Sequence, residues 1–262
     1  MGIIIKGGTI VTAADTYVAD IRIEGEKIVE IGKDLKAGIG DQAVKAKGRY
    51  VFPGGIDVHT HFELPFMGTV SADDFKTGSV AALCGGTTSF IDFIIPAKGK
   101  PLGEAVTAWH GKAKKAEADY GFHMAIVEFN ETIAKEIPAV IKQGITSFKC
   151  FMAYKGVLQI DDGQIVGVFN AVGGNGGLVM VHAENGFMIE ALTNQFMAEG
   201  KTAPEYHWLA HPAIAEEEAV ERIIRLSRFA GQPIYIVHLS SADGLKAVQA
   251  AVKRGDKVLA ET

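Results

Sequence analysis

From residue 50 onward, short apolar runs alternate with longer amphipathic segments, and this alternation limits the folds that the chain can adopt. The amphipathic segments have helical periodicity and span residues 73–83, 101–120, 133–143, 161–171, 187–199, 214–229 and 242–254. The apolar runs are typical of buried strands and span residues 51–58, 87–93, 122–129, 145–151, 178–181, 234–238 and 257–261. Strands that alternate with helices predict parallel βα units. The fold class is therefore α/β, as an open doubly wound sheet or a closed (β/α)8 barrel.

The first 52 residues follow a different pattern, in which short runs rich in β-branched residues are separated by turns. Strands are predicted at residues 3–6, 9–12, 19–24 and 27–31, with turns at Gly7-Gly8 and Gly25. We divide the chain into an N-terminal β-sandwich portion, residues 1–52, and a (β/α) barrel, residues 53–262. A closed barrel needs eight strands, whereas seven are found here and the seventh runs to the last residues. The prediction is an incomplete TIM-type barrel of about seven strands, truncated before its eighth strand.

Composition narrows the classes of partner. A net charge of −5 gives no electrostatic reason to expect nucleic acid or an anionic membrane as a partner. Cys84 and Cys150 are the two cysteines, and both lie in apolar runs, which indicates a reducing compartment rather than a disulfide framework. The N-terminus lacks the pattern of a signal peptide, and no apolar run approaches the ~18 residues of a membrane span. A soluble, cytoplasmic chain is expected.

Four of the eight histidines lie at the C-terminal ends of predicted strands: His59 and His61 at the first, His182 at the fifth and His238 at the sixth. In a parallel barrel these strand ends form the catalytic face. Side chains two positions apart on a strand point the same way, so His59 and His61 are suited to bind one metal ion through their imidazoles. An isolated His-x-His pair is also typical of polar side chains at a strand end. Two further histidines at strand ends favour the metal site.

Lys149 lies among apolar residues in the predicted strand ITSFKCFMAY. A charged ammonium group is costly to bury, and two interpretations stay open from the residues alone. The side chain can extend to water or pair with an acid. Alternatively, burial depresses its pKa and leaves a neutral amine. That amine can react with CO2 to form a carbamate, an anionic oxygen ligand able to bridge two cations.

Several motifs together resemble the dihydropyrimidinase/hydantoinase family of cyclic amidohydrolases. They are FPGGIDVHTHFELPFMGTVSADDF, GGTTSFIDFIIP, FKCFMAYKG, VHAEN and IVHLSS, and they span essentially the whole chain in the family's order and spacing. The segments LPFMGT and DFIIP are more similar to dihydropyrimidinase than to dihydroorotase or allantoinase. The resemblance implies a (β/α)8 barrel with a β-sandwich built from both chain ends, in a homotetramer.

The same resemblance implies a site with two Zn²⁺ ions per subunit. His59 and His61 would bind the more buried zinc, His182 and His238 the more exposed one, and carboxylated Lys149 would bridge them. Tyr154 matches the tyrosine that hydrogen-bonds the substrate carbonyl and stabilises the oxyanion. The positions that line the pocket for the ring substituent are matched by Leu64, Phe66 and Phe151. Without the resemblance, Tyr154 and these apolar residues would be assigned to packing.

The implied reaction is the ring opening of cyclic amides to N-carbamoyl amino acids. Its substrates are 5,6-dihydrouracil, dihydrothymine and 5-substituted hydantoins, with no nucleic-acid or membrane partner. Family members are longer, and their eighth strand carries an aspartate that binds zinc and moves the proton, so little activity is expected of these 262 residues alone. The alternatives are an allantoinase or dihydroorotase, or a non-catalytic scaffold like the collapsin-response mediator proteins.

Overall fold

The structure is a computed structural model, which describes residues 2–66 and 68–262. The chain folds into two compact units. The first runs up to Gly55 and includes Gly86–Thr88, and the second comprises Ile56–Gly85 and Ser89–Thr262. None of the helices in the described residues combines the length and the apolar character needed to cross a membrane.

The N-terminal unit is built on one five-stranded sheet. Its strands are β1 (Gly2–Val11), β2 (Thr16–Glu24), β3 (Lys27–Gly32), β4 (Gln42–Lys45) and β5 (Tyr50–Val51). The sheet has the order β3-β2-β1-β4, and β5 pairs with β1 beyond the end of β4. Strands β1, β2 and β3 are antiparallel, whereas β4 and β5 run parallel to β1. Ile10 of β1 and Ala19 and Ile21 of β2 form a small core on one side of this sheet.

The turn predicted at Gly7-Gly8 is wrong, because β1 continues through it as a single strand. The pairing of β1 with β2 shifts register between Ile5 and Gly8, which is the mark of a β-bulge. Gly7 takes a left-handed conformation with φ of 67°, and its N–H donates to the carboxylate of Asp20 at 2.7 Å. The glycines therefore bend the strand without ending it.

A seven-stranded sheet forms the larger part of the fold. It contains β6 (Gly55–Thr60), while β7 (Pro65–Phe66) and β8 (Thr69–Val70) form a separate hairpin. The other six strands are β9 (Thr87–Ile94), β10 (Asp119–Ala125), β11 (Ser147–Phe151), β12 (Leu178–His182), β13 (Ile234–Ile236) and β14 (Val258–Ala260). The order is β14-β13-β12-β11-β10-β9-β6, and each pairing from β9 to β14 is parallel. The predicted α/β fold, an incomplete TIM-type barrel, is confirmed.

The helices that connect these strands are α1 (Phe75–Gly85), α2 (Leu102–Ala113), α3 (Glu131–Lys142), α4 (Asp162–Gly173), α5 (Gly186–Ala198), α6 (Glu205–Leu209), α7 (Ala213–Ala230) and α8 (Ala242–Lys253). Several begin at side chains that accept hydrogen bonds from the first turn: Asn130 for α3, Asp161 for α4 and Ser241 for α8. Helix α7 ends at Gly231, which has φ of 67°. The short helix α6 was not predicted.

The helix predicted over residues 101–120 ends earlier, at Ala113. The N–H of Glu117 donates to the hydroxyl of Ser79 at 2.9 Å, so it does not continue the helical ladder. Lys115 forms ion pairs with Glu63 and Asp74. These contacts with other segments outweigh the helical propensity of the alanine- and lysine-rich sequence.

The side chains of β11 point alternately into two different hydrophobic clusters. Phe148 and Cys150 belong to the main core cluster, together with residues of the surrounding helices such as Ile165 and Val168. Phe151 belongs to a second cluster with Ala125, Val127 and Leu158. Because successive side chains of a strand point to opposite faces, Lys149 lies on the same face as Phe151. That face carries the candidate site.

Candidate active site

Lys149 is buried on the inner face of β11, with only 2% of its surface exposed. Its Nζ lies 3.2 Å from Nε2 of His59 and 4.3 Å from the ring centre of Phe93. Burial lowers the pKa of Lys149 to about 7, although Glu261 opposes this shift. Of the two interpretations of this lysine, extension to water is wrong, and about half of its amine is neutral at pH 7.

His59 and His61 lie at the end of β6 with ring centres 5.2 Å apart. Nδ1 of His59 is 2.7 Å from Oε1 of Glu261. Nδ1 of His61 is buried and has no hydrogen-bond partner among the described residues. Burial, reinforced by the charge of Lys149, lowers the pKa of each imidazole to about 3. Both rings are therefore neutral and able to offer a nitrogen lone pair to a cation.

A buried carboxyl group on the neighbouring strand fixes the end of β6. Asp92 is 1% exposed, and its Oδ2 accepts hydrogen bonds from the Thr60 hydroxyl at 2.9 Å and from the Phe62 N–H at 2.8 Å. Its Oδ1 accepts from the indole N–H of Trp109 at 3.2 Å. Burial raises the pKa of Asp92 to about 6. Since Thr60 and Phe62 flank His61 in the chain, Asp92 orients the segment that carries both histidines.

His182 is the last residue of β12, and His238 follows β13 by two residues. The predicted strand at residues 234–238 ends early, at Ile236, and His238 takes a left-handed backbone conformation with φ of 39°. Nδ1 of His182 lies 3.0 Å from Nε2 of His238, and Nε2 of His182 lies 2.8 Å from a carboxylate oxygen of Glu184. Burial and the neighbouring His182 lower the pKa of His238 to about 4.

Tyr154 follows β11 on a turn and also has a left-handed backbone, with φ of 63°. Its carbonyl accepts the N–H groups of the three consecutive residues 157–159, which fixes this conformation. The ring lies edge-on to Phe66, with centres 5.5 Å apart, and 4.9 Å from the ring centre of His182. Burial raises the pKa of Tyr154, so its hydroxyl keeps its proton and can donate a hydrogen bond.

These side chains meet around one cavity of about 300 Å³. Every site residue predicted from the sequence lines it: His59, His61, Leu64, Phe66, Lys149, Phe151, Tyr154, His182 and His238. Two further lining residues, Ile95 and Leu158, were missed. Ile95 directly follows β9, so its position at a strand end was a usable signal, whereas Leu158 lies in a loop that carries no such signal.

Two acids at the site were also missed. Glu261 directly follows β14 and contacts His59, and its other oxygen accepts from the Tyr235 hydroxyl at 2.8 Å. Glu184 follows His182 by two residues and accepts from its imidazole. The position of Glu261 after a strand was visible in the sequence. Glu184 lies on the loop after β12, where the sequence does not predict which way a side chain points.

The histidine and acid side chains of this cavity decide whether it can hold a metal ion. No group of three or more His, Cys, Asp and Glu side chains within residues 2–66 and 68–262 is arranged as a ready-made metal site. The imidazoles are paired with one another, with Lys149 and with carboxylates. Neutral imidazole nitrogens are nevertheless the donors that zinc prefers, and the unpartnered Nδ1 of His61 is such a donor. The residues present therefore fit a zinc-type cation.

A larger cavity of about 560 Å³ lies beside the loop after β11. Three of its charged side chains are already in ion pairs: Lys155 with Glu190 at 2.6 Å, and Arg222 with Asp162 at 2.6 Å. Among the residues that the structure describes, no histidine lines it. The smaller cavity, where neutral nitrogen donors converge, is the better candidate for chemistry.

Comparisons with known proteins agree with this architecture. Residues 50–258 match the sequence model of the amidohydrolase family. The chain is 48% identical to a D-hydantoinase of Geobacillus stearothermophilus, over 99% of this chain and 55% of that protein. It is 42% identical to a dihydropyrimidinase of Arabidopsis thaliana, over 99% of this chain and 49% of that one. A crystal structure of a D-hydantoinase matches it with a TM-score of 0.97 at 48% identity, over 100% of this chain and 57% of the other.

This chain belongs to the amidohydrolase family. Its resemblance to the dihydropyrimidinase/hydantoinase group, predicted from the motifs, is confirmed by these relatives. The chain spans about half the length of the curated relatives that it matches.

Proposed function

We propose that this protein opens the ring of cyclic amides by hydrolysis, with 5,6-dihydrouracil, dihydrothymine and 5-substituted hydantoins as substrates and N-carbamoyl amino acids as products. The observation that carries the proposal is the meeting of all nine predicted side chains around one cavity of about 300 Å³. Relatives named D-hydantoinase and dihydropyrimidinase support the same substrate class.

We further propose that the site holds two zinc ions. His59 and His61 would hold one ion and His182 and His238 the other, with carboxylated Lys149 between them. When bound, such ions polarise a substrate carbonyl and lower the pKa of water. What supports this assignment is the neutrality of the donors, since the pKa values of His59, His61 and His238 are all lowered well below 6.5.

The carboxylation of Lys149 requires a neutral amine. The nitrogen lone pair attacks the carbon of CO2, an N–C bond forms, and one proton leaves the nitrogen for solvent, which gives the carbamate anion. With a pKa of about 7, a large fraction of Lys149 is unprotonated at neutral pH, whereas an exposed lysine is almost fully charged. Burial of this side chain therefore favours the modification.

The remaining residues of the cavity bind and orient the ring. The Tyr154 hydroxyl, which keeps its proton, would donate a hydrogen bond to the oxygen on which negative charge develops. Leu64, Phe66 and Phe151 provide an apolar wall for the ring substituent. A ring substituent packed on this wall would exclude water there and strengthen the hydrogen bond from Tyr154, because the local dielectric constant would be lower.

The first test is the metal content of mass-verified protein produced with zinc and bicarbonate, because little hydrolysis is expected of these 262 residues alone. We expect about two zinc ions per chain, and Lys149→Ala should retain no more than one. The matched control is Lys155→Ala, since Lys155 is exposed and paired with Glu190. A wild-type chain without zinc, or a Lys149→Ala variant with wild-type zinc content, would contradict the proposal.

A dihydroorotase or a non-catalytic scaffold would require different residues in the cavity. A dihydroorotase binds a carboxylate and requires a cationic partner for it, whereas no arginine is among the described residues that line this cavity. A non-catalytic scaffold would have no need of five convergent metal-ligand candidates. Assembly into a homotetramer and a cytoplasmic location stay predictions. Light scattering after size-exclusion chromatography tests the first, and imaging of a tagged protein tests the second.

A further inference from the structure

The first turn of helix α7 contacts the loops that follow both β12 and β13. The backbone N–H of Asn185 donates to the carbonyl of Ala215 at 2.8 Å, and its side-chain amide donates to Glu218 at 2.6 Å. Asn185 lies three residues after His182. This turn therefore fixes the loop that begins at His182.

Glu216, on the same turn, makes the corresponding contact with the loop after β13. Its carboxylate is buried, with 8% of the residue exposed. One oxygen accepts the N–H of Ser240 at 2.9 Å, and the other accepts the N–H of Ser241 at 2.6 Å. A Cβ at Gly244 would lie 3.0 Å from this carboxylate, so helix α8 also begins close against it.

The residues held by Glu216 immediately follow a strained position. His238 has φ of 39°, in a region that costs a non-glycine residue about 1–3 kcal/mol unless its surroundings enforce it. The Ser240 hydroxyl donates to the His238 carbonyl at 2.7 Å, and the Leu239 N–H donates to the Glu261 carbonyl at 2.7 Å. Ser240 therefore connects the two: its hydroxyl binds the His238 carbonyl, and its backbone N–H binds Glu216.

We propose that Glu216 is a positioning residue for this site: by binding the Ser240 and Ser241 amides it holds the strained turn, so that Nε2 of His238 faces Nδ1 of His182. The proposal rests on the proposed function, in which these two histidines would hold one zinc ion. A purely structural role would be limited to the stability of α8. The two roles differ in what they predict for the geometry of the histidines.

The test compares Glu216→Gln with Glu217→Gln, a neighbour at a half-buried position of the same helix. In Glu216→Gln the neutral amide turns an N–H group toward one of the two serine amides, so the turn loses an acceptor. We expect zinc affinity, measured by chelator competition, to fall about 10- to 100-fold with unchanged circular dichroism. Glu217→Gln should bind zinc like the wild type. A Glu216→Gln variant with wild-type affinity would overturn the proposal.

A second readout works without metal and separates this proposal from the proposed function. Nuclear Overhauser contacts between the His182 and His238 rings should be present in the metal-free wild type and in Glu217→Gln, and lost in Glu216→Gln. If the wild type binds no zinc, the proposed function fails, while retained ring contacts in Glu216→Gln would overturn the positioning role. Should Glu216→Gln not fold, the same two measurements are made on Glu216→Asp, because its shorter carboxylate cannot reach the amides of both Ser240 and Ser241.

Discussion

The two halves of the candidate site are held in different ways. His59 and His61 end a strand, and the buried Asp92 of the adjacent strand fixes the residues around them. His182 and His238 stand on or beyond strand ends, and residues of helix α7 fix the loops that follow them. The first pair depends on the sheet and the second on the packing of a helix against loops. This difference predicts which substitutions disturb which half.

The largest effect on folding is expected for Asp92→Ala. The substitution leaves the Trp109 indole N–H and the Phe62 N–H buried without an acceptor, at about 1–3 kcal/mol each. We expect the free energy of unfolding in urea to fall by about 2–4 kcal/mol. The control is Asp119→Ala on β10, an exposed residue whose side chain makes no hydrogen bond or ion pair within the described residues, with an expected change within about 0.5 kcal/mol. Equal losses in the two variants would mean that Asp92 does not anchor the strand end.

The same carboxyl group predicts a pH dependence of stability. Its pKa is raised to about 6 in the folded state, against 3.8 for an unperturbed aspartate, so the folded state binds more protons between about pH 4 and pH 6. The contribution to stability is therefore full below about pH 4 and is lost as the pH rises through about 6, with a span of about 2–3 kcal/mol.

This prediction is measured as the difference in unfolding free energy between the wild type and Asp92→Asn across that range. The amide does not titrate, so the difference should change with pH in that window and become constant above about pH 7. A difference that does not vary between pH 4 and pH 7 would show that Asp92 titrates normally.

The smallest change in stability is expected from removing the N-terminal caps of helices α8 and α3. Ser241 caps α8 by accepting the N–H of Gly244 at 3.0 Å, and Asn130 caps α3 by accepting from two amides. We expect Ser241→Ala and Asn130→Ala each to reduce stability by about 1 kcal/mol. Only Ser241→Ala should also weaken zinc binding, since Ser241 lies beside the turn of His238. If Asn130→Ala weakens zinc binding equally, the loss reflects general destabilisation.

The sheet-held half of the site was predictable from the sequence, since strand alternation alone directs side chains. The His-x-His spacing predicted two rings on one side, which describes the structure. The apolar neighbours of Lys149 left its burial as one of two interpretations, and the structure shows the buried one. These are local rules with a period of two residues. They need no knowledge of what lies across the barrel.

The helix-held half was only partly predictable, because its geometry depends on contacts between residues distant in sequence. The sequence located His238, but it was predicted within a strand, and the left-handed turn was missed. The contacts of Glu216 could not be predicted from the sequence, since its partners at Ser240 and Ser241 are about 25 positions away. The early end of α2 has the same origin in a remote partner, Ser79.

The left-handed backbones at Tyr154 and His238 bear on how this sequence would respond to stabilisation. A glycine at either position would adopt the observed φ without a Cβ clash. Selection for stability alone would therefore favour glycine at two positions that line the cavity. This sequence has an aromatic and an imidazole group there, against the preference of the backbone, which is the local signature of a trade-off between stability and activity. Redesign of this scaffold should hold these two positions fixed while it optimises the rest.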